Sequence, residues 1–213
     1  HTEPNVITYS AAMSALEKGA RWHEALGMFE DMRFRQMELN TITYGAAVSA
    51  CEKGARWHEA LTIVADMCLR RVEPSVITCN SAISACEKGD RWQEALAMFW
   101  GMQASRLQPT GVTYNAAISA CEKGGRWQEA LGMLFDMRLR LVECSVITYT
   151  AAITACAKCD RWQEAVGVFV DVRSRRLDPD AKTSSAAMTA CQKGAQGLEA
   201  LGLDWDRLLA FAV

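Results

Sequence analysis

Cysteine and histidine are the residues of this chain whose chemistry could support a metal site or a nucleophile. The 213 residues include nine cysteines and three histidines. Cys156 and Cys159 form a C-x-x-C pair, but neither a second pair nor a suitably spaced histidine accompanies it. The His-Glu pairs at His23 and His58 lack the P-C-x-x-C partner of a zinc deaminase. We therefore expect no metal site, no cofactor and no enzymatic activity.

Most of the cysteines occupy one recurring position. Five of them lie 35 residues apart, where we expect small buried apolar side chains: Cys51, Cys86, Cys121, Cys156 and Cys191. Free cysteines in such number favour a reducing compartment.

The same 35-residue interval runs through the whole sequence. Five tryptophans repeat at this spacing: Trp22, Trp57, Trp92, Trp127 and Trp162. A fixed period of roughly 20 to 50 residues is typical of stacked repeat architectures. The predicted repeats cover about residues 7–41, 42–76, 77–111, 112–146 and 147–181, and a degenerate sixth or capping unit covers 182–213.

Each repeat is predicted to form two helices. In the fourth, Tyr114, Ala117 and Ile118 follow helical spacing, as do Trp127 and Ala130 in its second half. No segment alternates with a period of two, so we expect an all-α array of helical hairpins.

Polar residues and glycines predict where these helices begin and end. Residues suited to the N-cap of the first helix are Asn5, Asn40, Ser75, Thr110, Ser145 and Asp180. Glycines placed for a left-handed C-terminal cap are Gly19, Gly54, Gly89 and Gly124. Capping boxes are predicted for the second helices at Asp90 with Gln93 and at Asp160 with Gln163.

The charge is close to neutral overall but unevenly placed. The chain carries 23 Lys and Arg against 25 Asp and Glu, a net charge of −2, which by itself argues against a polyanionic partner. The stretches from the start of each repeat through its Arg-Trp arginine, or the equivalent residue, hold 12 basic and 6 acidic residues. This segregation is compatible with RNA. Apolar runs are far shorter than the roughly 20 residues that span a membrane, so no membrane segment is expected.

The repeat unit resembles the pentatricopeptide repeat. The fourth unit carries the motif most clearly, in the run 112–115 (V-T-Y-N), Cys121, Lys123, Gly125 and the run 129–131 (E-A-L). The resemblance extends from about residue 4 to 195. It implies a right-handed α-solenoid (superhelix) of helix-turn-helix repeats that binds single-stranded RNA, about one base per repeat, usually in mitochondria or chloroplasts.

Two positions vary between otherwise similar repeats. The first follows the repeat tyrosine: Ser10, Gly45, Asn80, Asn115 and Thr150. The second precedes the next first helix: Asn40, Ser75, Thr110, Ser145 and Asp180. The resemblance implies that each successive pair reads one base, with a core of 5′-A-N-Y-C-G-3′. Their amide, hydroxyl and carboxylate groups offer distinct donor and acceptor sets, although helix capping alone would also explain the second position.

The resemblance implies two further sets of RNA contacts. Residues expected to sandwich the bases are Ile7, Ile42, Ile77, Val112 and Ile147. Lysines expected to face phosphates are Lys18, Lys53, Lys88, Lys123, Lys158 and Lys193. The alternative role of these lysines is to stabilise a helix C-terminus. In the sixth unit Lys182 replaces the isoleucine, which makes a base site there doubtful.

Together these features predict a sequence-specific RNA-binding protein that acts in organellar RNA processing, stability, editing or translation. The alternative is a helical-repeat scaffold that holds a protein or peptide partner. Variation confined to two positions favours RNA, because a peptide groove would vary over many side chains. No small-molecule substrate is expected, and a targeting peptide would lie upstream of this fragment.

Overall fold

The computed structural model describes residues 6–19, 21–175 and 177–200, with side chains up to residue 194. This part of the chain forms eleven helices and no strand. The helices are α1 (Val6–Lys18), α2 (Trp22–Phe34), α3 (Thr41–Lys53), α4 (Trp57–Leu69), α5 (Val76–Lys88), α6 (Trp92–Ala104), α7 (Gly111–Lys123), α8 (Trp127–Leu139), α9 (Val146–Lys158), α10 (Trp162–Ser174) and α11 (Ala181–Ala200). Within these ranges no helix is both long and apolar enough to cross a membrane.

The chain divides into two compact units, one ending at Ala120 and the other beginning at Cys121. In the first unit α3 packs between α1 and α5, and α2 and α4 each contact the odd-numbered helices on both sides. In the second unit α9 packs against α8, α10 and α11. The predicted all-α fold of helical hairpin repeats is confirmed.

Small residues and aromatic pairs build the core between successive repeats. Ala47 on α3 is fully buried, which lets neighbouring first helices approach closely. Phe29 meets the edge of Tyr44 with ring centroids 5.5 Å apart, and Phe99 meets Tyr114 at 5.1 Å. Each such aromatic pair contributes about 0.5–1.5 kcal/mol beyond its buried area.

A buried tyrosine ties the two helices of a repeat together. The hydroxyl of Tyr44 donates to Asp66 at 2.6 Å, and Arg70 Nε donates to the same carboxylate. Burial and this hydrogen bond raise the pKa of Tyr44. The bond recurs in Tyr9–Asp31 and Tyr149–Asp171. The third repeat has Cys79 and Gly101 at the two positions, so both partners are replaced together.

The predicted N-caps of the first helices are confirmed wherever the structure describes them. Asn40, Ser75 and Ser145 each accept a hydrogen bond from the backbone N–H of the threonine three residues later. Thr110 and Asp180 do the same through Oγ1 and Oδ1. Asn5 lies outside the described residues.

The predicted capping boxes of the second helices are wrong. Asp90 and Asp160 have a φ of 56° and precede the cap position. The caps of α6 and α10 are arginines whose side chains make no capping hydrogen bond. In α6 that arginine, Arg91, instead forms an ion pair at 2.6 Å with Glu94 in the first turn of the helix.

The left-handed caps predicted at Gly19, Gly54, Gly89 and Gly124 are also wrong. Gly54 and Gly89 have φ values of −85° and −88°. After Gly54, Gly89 and Gly124 the left-handed residue comes one position later, at Ala55, Asp90 and Gly125. The backbone conformation therefore does not explain why these positions are glycine.

The turn glycine is instead required by a close contact with the tryptophan of the preceding repeat. A Cβ atom at Gly54 would lie only 2.6 Å from Cδ2 of Trp22. The arginine of the same turn covers the ring as well, since the Arg91 guanidinium lies 4.4 Å from the centre of the Trp57 ring. The turns at Gly54 and Gly89 therefore pack directly on Trp22 and Trp57 of the preceding repeats.

The sixth unit departs from the helical hairpin. Its first helix, α11, continues to Ala200 through Gly194, whereas the earlier first helices end at the repeat lysine. The predicted helical register of Leu201, Trp205, Leu208 and Ala212 falls outside the described residues.

We predict that Gly54→Ala destabilises the protein by about 1–3 kcal/mol, because the added methyl group overpacks the contact with Trp22. Urea unfolding monitored by circular dichroism measures the change. The matched control is Gly27→Ala on α2, where a Cβ meets nothing within 4 Å. This control should raise stability by about 0.5–1 kcal/mol. Equal effects of the two substitutions would contradict the packing role of the turn glycine.

Candidate nucleic-acid interface

Five large apolar side chains at one repeat position are exposed to solvent. The exposed fractions are 75% for Ile7, 65% for Ile42, 71% for Ile77, 61% for Val112 and 66% for Ile147. All of them lie in the first turn of a first helix. Their recurrence at the same position, rather than their exposure alone, makes them a candidate contact surface for a ligand.

An open cavity lies between two of these side chains in the first compact unit. It has a volume of about 290 Å³, and its lining includes Ile42 and Ile77 together with Gly45, Ser75 and Thr78. The structure thus brings together two predicted base-sandwiching residues and the two predicted base-reading residues of the second pair. A planar ring could enter this space between the isoleucines and meet Ser75.

A buried threonine joins the predicted base-reading residues of the third pair. Thr113 has no exposed surface. Its hydroxyl donates to Oδ1 of Asn80 at 2.6 Å and accepts the backbone N–H of Thr110 at 2.9 Å. The two predicted residues therefore meet through a third side chain.

In the first pair a buried threonine again joins the two predicted residues, but its hydroxyl donates to the capping residue instead of to the residue that follows the repeat tyrosine. The buried hydroxyl of Thr43 donates to Oδ1 of Asn40 at 3.0 Å and lies 2.8 Å from the hydroxyl of Ser10. The Ser10 hydroxyl is also 2.8 Å from the carbonyl of Val6. Ser10 is only 6% exposed, so Asn40 presents most of the polar surface of this pair.

The fifth pair, in the second compact unit, is built like the first. Thr183 donates to Oδ1 of Asp180 at 2.6 Å and lies 2.5 Å from the hydroxyl of Thr150. Hydrogen bonds from Thr183 hold the pKa of Asp180 below its usual range, so Asp180 is a carboxylate at neutral pH. Thr150 is 5% exposed and donates to the Val146 carbonyl at 2.7 Å.

The fourth pair is divided between the two compact units. Asn115 is half-buried on α7, and Ser145 caps α9. Each is placed like its counterparts elsewhere in the chain.

The repeat lysines form ion pairs with the preceding repeat. Nζ of Lys88 lies 2.9 Å from Glu52, and Nζ of Lys158 lies 2.8 Å from Glu122. Lys53 pairs with Glu17 at 2.8 Å and Lys193 with Asp160 at 2.6 Å. Lys53 and Lys193 also donate to a main-chain carbonyl of the preceding first helix, as Lys88 does. Lys18 and Lys123 are exposed near the ends of α1 and α7.

Sequence reasoning missed both the acidic partner of the lysines and the threonine between the base-reading residues. Each partner is nonetheless visible as a repeat: the glutamate precedes the lysine in E-K-G, and the threonine follows the isoleucine in I-T-Y. Their contacts span 36 and 33 residues, so only the stacking of neighbouring repeats brings them together.

The cysteines are free thiols, and most of the repeated ones are core residues. Cys51, Cys86, Cys121 and Cys156 are fully buried, whereas Cys191 is half-buried. Burial raises the pKa of Cys51 to about 12, so its thiol stays protonated. Among the described residues, no group of three or more His, Cys, Asp and Glu side chains is placed to hold a metal ion.

Solved structures with similar folds are helical-repeat proteins. The maize pentatricopeptide repeat protein PPR10 superposes with a TM-score of 0.71 at 26% identity, over 93% of this chain and 30% of that one. The PPR domain of Arabidopsis thaliana protein-only RNase P 1, solved in complex with tRNA, gives 0.74 at 15% identity, over 85% of this chain and 96% of that one. PPR10 in complex with an 18-nt psaJ RNA element gives 0.60 at 20% identity, over 94% and 34%. This chain thus spans about a third of PPR10.

The sequence itself matches models of the same repeat. The model of the PPR repeat family matches residues 4–53, 74–123 and 109–158, and that of the PPR repeat matches 147–177. No curated protein sequence matches the chain significantly. These matches cover well over half of the 213 residues, and the chain belongs to the pentatricopeptide repeat family.

Proposed function

We propose that this chain binds single-stranded RNA in a sequence-dependent way, with about one base at each junction between repeats. The observation that carries the proposal is the cavity between Ile42 and Ile77. It combines two exposed apolar faces with a polar capping residue, Ser75, and a glycine that leaves the space open. Apolar faces suit the two sides of a base, and polar groups suit its edge.

The family supports the same proposal. The related PPR10 and the PPR domain of protein-only RNase P 1 were both solved with RNA bound. The proposed core is 5′-A-N-Y-C-G-3′. In chain order the pairs are Ser10 with Asn40, Gly45 with Ser75, Asn80 with Thr110, Asn115 with Ser145, and Thr150 with Asp180.

The proposal includes a place of action. By family resemblance, the RNA would be a mitochondrial or chloroplast transcript, and binding would serve its processing, stability, editing or translation. Localising the tagged full-length protein tests this part separately from RNA binding.

Selection from a random pool of single-stranded RNA tests the proposed function directly. An enriched core of A-N-Y-C-G at physiological salt is the expected result. Recovery of no RNA would contradict the proposal and favour the scaffold that holds a protein or peptide partner.

The open second site yields a gain-of-specificity prediction. Gly45→Asn makes this pair identical to Asn115 with Ser145, so we expect the second base to change from no preference to cytosine. A Cβ at Gly45 would lie 3.4 Å from Thr78 Oγ1, an ordinary contact. A discrimination of about 1–3 kcal/mol is expected by analogy with other side chain–base contacts.

Fluorescence anisotropy with four oligonucleotides that differ only at the second base measures this change. Gly27→Ala, which is remote from the cavity lining, is the control. An unchanged preference in Gly45→Asn would contradict the assignment of this pair.

Substitutions in the ion pair between Lys88 and Glu52 can distinguish a structural role of the lysine from a phosphate contact. An ammonium has three N–H donors, so Lys88 can hold Glu52 and still meet a phosphate. We expect Lys88→Ala to lower the slope of log affinity against log salt by about 0.7, the value for one single-strand phosphate contact. Glu52→Gln should tighten binding, because it removes a competing negative charge.

Binding titrations at several salt concentrations measure both effects. The control is Glu30→Gln on α2, which removes an equal charge from a second helix. If Lys88→Ala lowers stability but leaves the salt slope unchanged, the lysine is only a link between repeats.

A further inference from the structure

A buried threonine in the first turn of α3, α7 and α11 meets the side chains proposed to read bases: Thr43, Thr113 and Thr183. We propose that this threonine determines whether the base-reading side chain offers the RNA a hydrogen-bond donor or an acceptor. The inference rests on the proposed function and adds a third residue to each base site.

The argument begins with the single proton of a hydroxyl group. A threonine hydroxyl donates one hydrogen bond and can accept others. When one neighbour can only donate or only accept, the direction of the remaining hydrogen bond is determined. Because Thr43, Thr113 and Thr183 are fully buried, water does not compete for that proton.

At the third pair the hydroxyl proton is directed towards the base-reading residue. The backbone N–H of Thr110 can only donate, and it lies 2.9 Å from Thr113 Oγ1. The Thr110 hydroxyl lies 3.1 Å away and can itself donate to Thr113, so the Thr113 proton goes to the closer acceptor, Oδ1 of Asn80, at 2.6 Å. With its carbonyl oxygen held inside, Asn80 has its amide N–H groups left for the base. This site offers a donor.

At the fifth pair the direction is reversed. The Asp180 carboxylate can only accept, so Thr183 donates to it at 2.6 Å. The Thr150 hydroxyl then directs its own proton inward, to Thr183 Oγ1 at 2.5 Å or to the Val146 carbonyl at 2.7 Å. In either case Thr150 has only lone pairs to offer a base.

The first pair follows the fifth. Thr43 donates to Oδ1 of Asn40, and the proton of Ser10 is directed to Thr43 or to the Val6 carbonyl. Of these three pairs, two therefore offer the base a hydrogen-bond acceptor, at Ser10 and Thr150, and one offers a donor, at Asn80.

This polarity agrees with the base proposed at each pair. The acceptors at Ser10 and Thr150 face proposed purines, whose edges carry an amino group on adenine and N–H groups on guanine. The donor at Asn80 faces a proposed pyrimidine, and both pyrimidines carry the O2 acceptor. The capping residue thus influences the base-reading side chain through the threonine between them.

Thr113→Val tests the proposal, because valine keeps the shape of threonine and removes the hydroxyl group. We expect pyrimidine-over-purine discrimination at the third base to fall about fivefold, the worth of one hydrogen bond. Thr113→Ser should restore it. The matched control is Thr78→Val, since Thr78 is equally buried but faces Gly45, which has no side chain to orient. This control loses the hydrogen bond between the Thr78 and Ser75 hydroxyls and should leave the third base unaffected.

A second measurement needs no RNA. In amide NMR spectra, the side-chain N–H signals of Asn80 should shift or broaden in Thr113→Val, because the side-chain amide can rotate once Oδ1 has lost its hydrogen bond. The same signals should stay in place in Thr78→Val. If the unmodified chain binds no RNA, the proposed function fails and the base-polarity inference falls with it. If it binds and discriminates, but Thr113→Val changes neither the discrimination nor the Asn80 signals, this inference alone is overturned. Should Thr113→Val fail to fold, Thr113→Ala serves in its place, with the same outcomes.

Discussion

The close approach of successive first helices is the constraint on which the rest of this structure depends. It requires small residues such as Ala47 and Ala82 in the contact, and both are fully buried. The turn that follows is held by the same stacking, since Gly54 lies against Trp22 and any side chain there would collide with the ring. This spacing separates Ile42 from Ile77 by one open cavity. The distance between potential base sites is thus a consequence of helix packing.

Close packing has a second consequence, because it buries polar groups that must then be hydrogen-bonded. Thr43, Thr113 and Thr183 have no exposed surface, and the hydroxyl of each lies within hydrogen-bond distance of a side chain on the preceding first helix. Glu52 and Lys88 likewise connect neighbouring repeats near the ends of their first helices. The contacts that hold adjacent repeats together therefore involve the side chains proposed to face RNA, so stability and recognition share the same residues.

Much of this architecture follows from the sequence, and the errors have identifiable causes. The period and the alternation of helices are visible because Trp22 and its equivalents recur at a fixed interval. The N-caps at Asn40 and Ser75 are local hydrogen bonds, which a local pattern can predict. Gly54 was misassigned as a left-handed cap because its reason for being glycine is a ring 32 residues earlier in the chain. The bond between Thr113 and Asn80 was missed because it depends on how neighbouring repeats stack.

The central claim is that the exposed isoleucines of the first helices enclose RNA bases. Methyl NMR of isoleucine-labelled protein, titrated with an A-N-Y-C-G oligonucleotide, tests it most directly. Bases stacked on the side chains should move the methyl signals of Ile7, Ile42, Ile77 and Ile147 by ring currents. The signals of Ile83, Ile118 and Ile153, which are fully buried, should barely move. Binding that leaves the exposed isoleucines unshifted would contradict the account.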